Sequence, residues 1–317
     1  MTAIRRIRNA AVVCAAALAI GAGAAAAFPN GPVNYIIPFN AGGESDITAR
    51  YQQPHFKEIT GQDLIVQYLP GAGGAQAWAG LNNYTGDGQT IMGTNLPHIV
   101  LQPLLQNPGY ATDDIVNVYM FHFTPDALLV RADSPFQSLD DVIKAGTDAP
   151  GSVTAGGTGT NSATHVANQL FMSGTGAQTT YIPYSGTGAG EAGLLGGEVD
   201  VLWNYTTVAA KQGDAVRVLA VATEERHPLF PDVPTFRELG IDMVGGAYRG
   251  IGVPNSTPEE IRTQLSDIIA QINANPDFRA RMEADGYALI DVPYSGMEAF
   301  MAERKAAYQE VAGQLAQ

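Results

Sequence analysis

Four glycine-rich segments each follow a short β-branched run, and backbone N–H groups in such loops can bind an anion. The first segment, residues 38–46, reads PFNAGGESD and opens a predicted helix. Paired glycines let the chain turn tightly and bring N–H groups close to a ligand, and the helix N-terminus adds partial positive charge. This chemistry suits a carboxylate or a phosphate without any lysine. A plain strand-to-helix turn with Ser45 or Asp46 as N-cap explains the same residues equally well.

The other three glycine-rich segments are residues 71–74, 156–165 and 183–200. His165 lies one turn into the predicted helix that follows the third segment, where it could contact a ligand or, as a neutral side chain, bond the adjacent loop. Trp203 and Tyr205 come after the fourth segment. Their types suit either the core or the lip of a binding site, and the sequence does not decide between the two.

Patterns for catalysis are weak. Residues 188–193 match the G-x-G-x-x-G of dinucleotide sites, but the acid required roughly 20 residues further on could only be Asp214, in a predicted turn. The sequence contains no G-x-S-x-G elbow, and its five histidines lack the spacing of metal ligands. We therefore expect a protein that is not an enzyme and that holds no metal and no cofactor.

Residues 1–27 resemble a secretory signal peptide. Three arginines precede an apolar run, and small residues at 25–27 supply a cleavage site before Phe28. We expect cleavage after Ala27 and a periplasmic product. Cleavage also removes Cys14, the one cysteine of the sequence, so the mature chain has neither a disulfide nor a thiol nucleophile.

The charge of the chain restricts its partners. The formal net charge is −14, so we expect no nucleic acid partner, because there is no basic patch to neutralise phosphates. After residue 27 no apolar run approaches the ~20 residues that span a bilayer, and we expect no membrane insertion of the mature chain. The same acidity suits an exported protein that must stay in solution.

The hydrophobic pattern predicts an α/β fold. Short β-branched runs alternate with amphipathic stretches, which favours parallel sheets with helices on both faces and ligands at the carboxyl ends of the strands. The predicted strands are 33–39, 64–69, 89–94, 127–130, 152–155, 179–183, 199–203 and 216–222. Residues 261–272 carry a helical apolar stripe, and Pro54 predicts a kink or a break near Gln53 in the helix over residues 47–60.

In their order and spacing, these segments resemble the extracytoplasmic solute receptors of tripartite tricarboxylate transporters, the Bug or TctC-like family. Seven motifs carry the resemblance across nearly all of residues 28–317. They are PF-x-x-GG-x-x-D from Pro38, PGAGG at 70–74, D-G-x-T at 87–90, G-[ST]-x-G-x-x-S-x-x-H at 156–165, P-[YF]-x-G at 183–186, LLGG-x-V-D at 194–200 and PDVPT at 231–235.

The resemblance implies a two-domain, periplasmic-binding-protein-like clamshell with two interdomain crossovers, placed at residues 127–130 and 250–253. Domain one would comprise residues 28–129 plus 251–317, and domain two residues 130–250. The two lips would hold a ligand carboxylate through backbone N–H groups, hydroxyls and water. The implied ligand-binding residues are Phe39, Asn40, Ala41, Gly43, Ser45 and Asp46 on one lip, Thr158, Thr160, Asn161, Ser162 and His165 on the other, and Thr94 and Asn95 between them.

Three residues bear on which ligand is bound. Many relatives carry Asp where this chain has Asn204, and Asn cannot supply a charge to a ligand ammonium, which favours an unaminated di- or tricarboxylate or an aromatic acid stacked on Trp203. Glu44 departs from the commoner glycine, and we expect it to face solvent because an acid would repel a bound carboxylate. Arg249 would either bind a ligand carboxylate bidentately or form an interdomain salt bridge.

The resemblance also implies the function and the partners. The protein would act as a monomer that captures a small organic anion and delivers it to two integral membrane transporter subunits. Two alternatives remain at this stage: a ligand-sensing receptor for a membrane signalling partner, and an exported α/β enzyme.

Overall fold

The computed structural model describes residues 28–315. The predicted signal peptide and its cleavage site after Ala27 lie outside the described residues. We number the strands and helices of the described part in chain order. The first elements are β1 (Val33–Ile37), α1 (Glu44–Thr60), β2 (Leu64–Tyr68), α2 (Ala75–Ala79), β3 (Thr90–Leu96), α3 (His98–Leu105) and β4 (Val116–Arg131). The middle elements are α4 (Leu139–Asp148), β5 (Val153–Thr158), α5 (Ala163–Thr175), β6 (Thr179–Tyr184), α6 (Thr187–Leu195), β7 (Val201–Tyr205), α7 (Thr206–Gln212) and β8 (Val216–Val221). The last elements are β9 (Gly246–Val253), α8 (Glu259–Ala274), α9 (Pro276–Ala284), β10 (Ala288–Pro293) and α10 (Tyr294–Leu315).

The strands form two sheets that share β4. In the first sheet the order is β2-β1-β3-β9-β4, with β10 also paired to β4; β1, β2 and β3 are mutually parallel, and β9 is antiparallel to its neighbours. In the second sheet β4 pairs with β7 and β8, and β5 lies parallel between β7 and β6. The α/β prediction is therefore confirmed.

Strand β4 passes from one sheet to the other. Its residues 116–125 pair with β9 in the first sheet, whereas residues 126–129 pair with β7 in the second. The change comes at Pro125, which has no N–H to donate to a ladder. One continuous strand thus fixes how the two sheets meet.

Each sheet has its own apolar core. Large buried side chains of the first sheet include Phe56, Trp78 and Phe278, and those of the second include Phe171 and Phe236. The predicted stripe of α8 is buried as expected at Leu265, Ile268, Ile269 and Ile272. The two cores fix the strand ends of both sheets. The loops that follow these strand ends can therefore form a site between the sheets.

The predictions for one helix and three strands differ from the structure. Helix α1 runs unbroken through Pro54, so a break into two helices is wrong, and the helix ends at Gly61 with a left-handed φ of 72°. The sequence also predicted only the last part of β4 and missed β9 and β10. No helix in residues 28–315 is both long and apolar enough to cross a membrane.

Candidate functional site

A small cavity lies where the two sheets meet. Its volume is about 10 Å³, which is room for about one water molecule. The lining residues come from loops and strands of both sheets: Phe39, Gly43, Glu44, Ser45, Asn95, His98, Thr158, Thr187, Tyr205 and Arg249. Most of them follow the carboxyl ends of parallel strands, the usual place for ligands in α/β folds.

Arg249 is the cation of this cavity. Its side chain on β9 is 4% exposed and forms an ion pair through Nη2 with Glu44 Oε2. Nη1 donates a long hydrogen bond of 3.4 Å to Thr124 Oγ1, and the guanidinium lies 4.8 Å from the centre of the Tyr205 ring. Its Nε has no hydrogen-bond partner among residues 28–315. Arg249 thus retains donor capacity in a site that is shielded from water.

Glu44 is buried, so the expectation that it faces solvent is wrong. Its side chain is 4% exposed; Oε2 pairs with Arg249 and Oε1 accepts a hydrogen bond from Thr207. Its backbone N–H donates to Thr187 Oγ1 at 3.0 Å. The carboxylate turns inward because a buried guanidinium lies beneath the first glycine loop. Its bond to Thr207 ties that loop to α7, and the Glu44 N–H ties it to α6.

The titratable groups around the pair leave the cavity without net charge. Burial lowers the pKa of His98 to about 3 and holds the pKa of His122 well below its usual value, with Arg249 adding to both effects, so both rings are neutral. Burial raises the pKa of Glu44, and the Arg249 charge opposes this. The Arg249–Glu44 ion pair therefore dominates the electrostatics of the site.

Asp126 lies beside this pair at the point where β4 changes sheets. It is buried, and its Oδ1 has no hydrogen-bond partner in the described part of the chain. Burial raises its pKa to about 8, against the lowering effect of Arg249. The Asp126 carboxyl is consequently protonated in the folded protein at neutral pH.

Replacing Asp126 with asparagine is expected to stabilise the protein at pH 8 and to leave it unchanged near pH 4. Between about pH 4 and pH 8 the unfolded chain has released this proton while the folded state keeps it, so wild-type stability falls as pH rises. Each unit of pKa difference corresponds to about 1.4 kcal/mol, which gives a gain of several kcal/mol for the variant at pH 8. Urea unfolding of both proteins across this range measures the difference. A variant that is no more stable than wild type at pH 8 would contradict the assignment.

The first glycine loop is held by Asp46. Its carboxylate accepts hydrogen bonds from the Gly42 N–H at 2.8 Å, the Tyr68 hydroxyl at 2.6 Å and Arg50 Nε at 2.7 Å. Because its carboxylate is engaged by these three donors, Asp46 lies beside the loop. It does not line the cavity. It positions the loop that carries Gly43 and Glu44.

Two further residues of this lip are exposed. Asn40 Nδ2 lies 2.5 Å from Ser185 Oγ, so this contact joins the first lip to the fourth glycine segment. Ala41 is also exposed. Neither residue lines the cavity, and Asn40 instead spans its outer edge.

On the second lip, Thr158 alone of the predicted residues lines the cavity. Ser162 is the N-cap of α5, accepting the His165 N–H at 3.2 Å. The Asn161 N–H donates to His165 Nδ1 at 3.2 Å, and Asn161 has a φ of 57°. Thr160 is exposed. Burial lowers the pKa of His165, so the neutral ring bonds its own loop, which is the alternative that the sequence left open.

The aromatic residue predicted to stack on a ligand lies in the core. Trp203 is 1% exposed, its ring stacks on Phe236 at 5.5 Å, and its Nε1 donates to Asn168 Oδ1 at 3.0 Å. Asn204 is also fully engaged, donating to the Thr187 carbonyl at 3.2 Å and accepting the Tyr205 N–H at 3.0 Å. No face of Trp203 is open to a ligand in this conformation.

The remaining predicted residues divide between the cavity and its surroundings. Those that line it are Phe39, Gly43, Ser45, Asn95, Thr158 and Arg249. Thr94 is buried behind it, where a Cβ on Gly252 would approach the Thr94 methyl at 2.7 Å. Sequence reasoning did not nominate Glu44, His98 and Thr187, and it left Tyr205 undecided between core and lip. Glu44 and Thr187 lie inside glycine-rich segments and so carried a sequence signal, whereas His98 carried none.

Glycines bring the loops of the two sheets into direct contact. A Cβ on Gly43 would lie 2.8 Å from Thr187 Oγ1, and one on Gly188 would lie 2.8 Å from the Gly42 carbonyl oxygen. On the other side of the cavity, a Cβ on Gly159 would lie 2.8 Å from the Gly73 Cα. The two lips therefore meet backbone to backbone, and the structure is that of a closed site.

Two α/β units closed over a cavity at their strand ends define the class of periplasmic solute-binding proteins, and comparison with solved structures agrees. The periplasmic binding protein BugD is 25% identical with a TM-score of 0.85 and covers 91% of this chain and 99% of that one. MatC from Rhodopseudomonas palustris, solved with bound malate, is 25% identical with a TM-score of 0.84, over 90% of this chain and 100% of its own.

The family follows from the sequence match. The model of TctC, the tripartite tricarboxylate transporter family receptor, matches residues 48–312, and the chain belongs to this family. Protein BugT of Bordetella pertussis is 30% identical over 245 residues, 75% of each chain. The resemblance to Bug receptors is confirmed. This family and these neighbours are solute-binding receptors and not enzymes, and receptors of the family bind small organic ligands and work with tripartite transporters.

Proposed function

We propose that this protein binds a small organic carboxylate between its two sheets and delivers it to the two integral membrane subunits of a tripartite tricarboxylate transporter. The observation that carries the proposal is Arg249, a buried guanidinium that lines a cavity built from both sheets and has an unpartnered Nε. A buried donor without a partner costs about 1–3 kcal/mol, and an incoming carboxylate would supply the missing acceptor.

Binding requires the two sheets to separate, because a cavity of about 10 Å³ is too small for an organic acid. In the open form the solute carboxylate meets Arg249 and the N–H groups of the first loop, with Ser45, Asn95 and Thr158 as further hydrogen-bonding groups. Closure then brings both lips onto the solute, which shifts the open–closed equilibrium by its higher affinity for the closed form. The closed form is the one that would dock on the membrane subunits.

The strand pairing supports two domains with adjacent crossovers. The Asp126 N–H donates to the Gly245 carbonyl and the Gly245 N–H to the Ala222 carbonyl, so the two connecting segments lie side by side. We place the crossovers at residues 125–126 and 245–246, a few residues before the positions predicted from the sequence. We also propose that residues 1–27 direct export of the protein and that the exported protein is a monomer.

Among carboxylates, the site favours aliphatic di- or tricarboxylates over aromatic acids. The stacking partner expected for an aromatic acid, Trp203, is enclosed by Phe171 and Phe236. The malate bound to MatC is an aliphatic dicarboxylate, which supports this choice for a chain of the same fold.

A thermal-shift panel tests the proposal. The mature protein, unfolded and refolded to remove any co-purified solute, is mixed with mono-, di- and tricarboxylates, aromatic acids, amino acids and sugars. A matching acid at one hundred times its Kd should add about 2.7 kcal/mol of stability, a shift of several degrees in Tm. Sugars should have no effect. A panel in which no acid stabilises the protein would contradict the proposed function.

A further inference from the structure

Glu44 occupies the place where a solute carboxylate would bind. Glu44 and Arg249 both line the cavity between the sheets, and each of their side chains is 4% exposed. The Glu44 carboxylate forms an ion pair with the guanidinium through its Oε2 atom. This oxygen has no hydrogen-bond partner among the described residues. A solute carboxylate that reaches Arg249 must therefore share the guanidinium with Glu44 or replace it.

Replacement has an electrostatic consequence. A buried carboxylate that loses its counter-ion is strongly destabilised, and a second carboxylate beside it adds like-charge repulsion. Burial already raises the pKa of Glu44, and the charge of Arg249 is the largest effect that opposes this rise. Binding a proton is the usual way for such a group to remove its charge.

We propose that Glu44 is an internal competitor for the solute carboxylate, and that it takes up one proton when the solute occupies Arg249. The inference rests on the proposed function, since it concerns carboxylate binding at the same cavity. It makes Glu44 a specificity-determining residue: the site accepts an anion together with a proton.

The other groups near Glu44 are poorly suited to take up this proton. The titratable or charged groups that interact with Glu44 or with Arg249, or that lie against the same cavity, are Arg249 on β9, Tyr35 on β1, Asp126 and His122 on β4, His98 on α3, Tyr205 on β7 and Tyr287 before β10. Asp126 already holds a proton at neutral pH because burial raises its pKa to about 8. Burial lowers the pKa of His98 to about 3, far below neutrality. The tyrosines and Arg249 are protonated already.

Isothermal titration calorimetry measures the proton directly. The tightest-binding of malate, adipate and benzoate is titrated at pH 6.5, 7.0 and 7.5, where these acids are ionised, in PIPES and in imidazole buffers, whose ionisation enthalpies differ. Wild type should take up protons on binding, and its affinity should fall with rising pH by up to about tenfold per unit between the free and bound pKa values of Glu44.

The variant Glu44→Gln keeps the shape and removes the charge. It should bind the acid without proton uptake, and its affinity should depend little on pH. At pH 7.5 its Kd should be about tenfold or more lower than that of wild type, because one pH unit of proton linkage changes affinity about tenfold. Glu198→Gln is the matched control, since Glu198 is exposed and accepts a hydrogen bond from Tyr184 at 3.0 Å. It should behave as wild type. Asp126→Asn should retain the proton uptake.

The outcomes separate the inference from the function it rests on. An acid that binds wild type and Glu44→Gln with equal affinity and no proton uptake would overturn the inference and leave the proposed function standing. Proton uptake that survives in Glu44→Gln but disappears in Asp126→Asn would also overturn it. If no acid binds either protein, the proposed function fails. The comparison of buffers on wild type needs no variant. If wild type binds the acid without proton uptake, the inference is overturned even if Glu44→Gln misfolds.

Discussion

Replacing Arg249 with methionine is expected to lower the free energy of unfolding by about 3–5 kcal/mol, because the buried Glu44 carboxylate loses its counter-ion. Methionine keeps much of the volume of the arginine stem, so the loss reports mainly on charge. Urea unfolding at pH 7.5, followed by circular dichroism, gives the comparison with wild type.

The double variant Arg249→Met with Glu44→Gln separates stability from binding. With both charges removed, most of the lost stability should return, since a buried ion pair replaced as a unit is often near neutral. Carboxylate affinity should nevertheless fall by about 30-fold or more, because a buried charged partner of the ligand contributes about 2–5 kcal/mol. A double variant that is stable and binds acids as tightly as wild type would place the carboxylate away from Arg249.

The second large effect is expected from Gly188→Ala. The added Cβ would lie 2.8 Å from the Gly42 carbonyl oxygen and 3.0 Å from its carbon, which are backbone atoms that cannot move aside cheaply. Overpacking of this kind costs about 1–3 kcal/mol, and here it falls on the closed form. Affinity should therefore drop by about 5- to 150-fold, with the fold intact because alanine suits the helix α6.

Calorimetry and small-angle X-ray scattering together check this expectation. Wild type should become more compact when it binds an acid, whereas Gly188→Ala should show a smaller change. Gly296→Ala on α10 is the matched control, because a Cβ there meets no atom within 4 Å. Unchanged affinity in Gly188→Ala, with the control also unchanged, would mean that contact between the lips is not needed for binding.

Much of the fold could be predicted from local sequence. The strands around residues 33–39, 64–69, 179–183 and 216–222 carry β-branched runs bounded by turns, and each is present in the structure. Strand β9 gave no comparable signal because it contains three glycines among eight residues. Strand β10 is short and half-exposed. The early part of β4 contains three aromatic residues and a histidine, and their packing depends on partners distant in sequence.

The site was less predictable, for one physical reason. Loop sequences indicate where N–H groups will gather, but they do not show which side chains meet across the two sheets. Glu44 and Arg249 are 205 positions apart, and their pairing decides the charge of the cavity. Trp203 shows the converse: its type suits a ligand, but its core position follows from contacts with Asn168 and Phe236.

A crystal structure grown with the tightest-binding acid of the panel would test the central claim most directly. The account predicts the solute between the two sheets, with one carboxylate hydrogen-bonded to Arg249 and to N–H groups of the loop over residues 39–45, and with Glu44 displaced from the guanidinium. A solute bound elsewhere, with the Arg249–Glu44 ion pair intact, would contradict it.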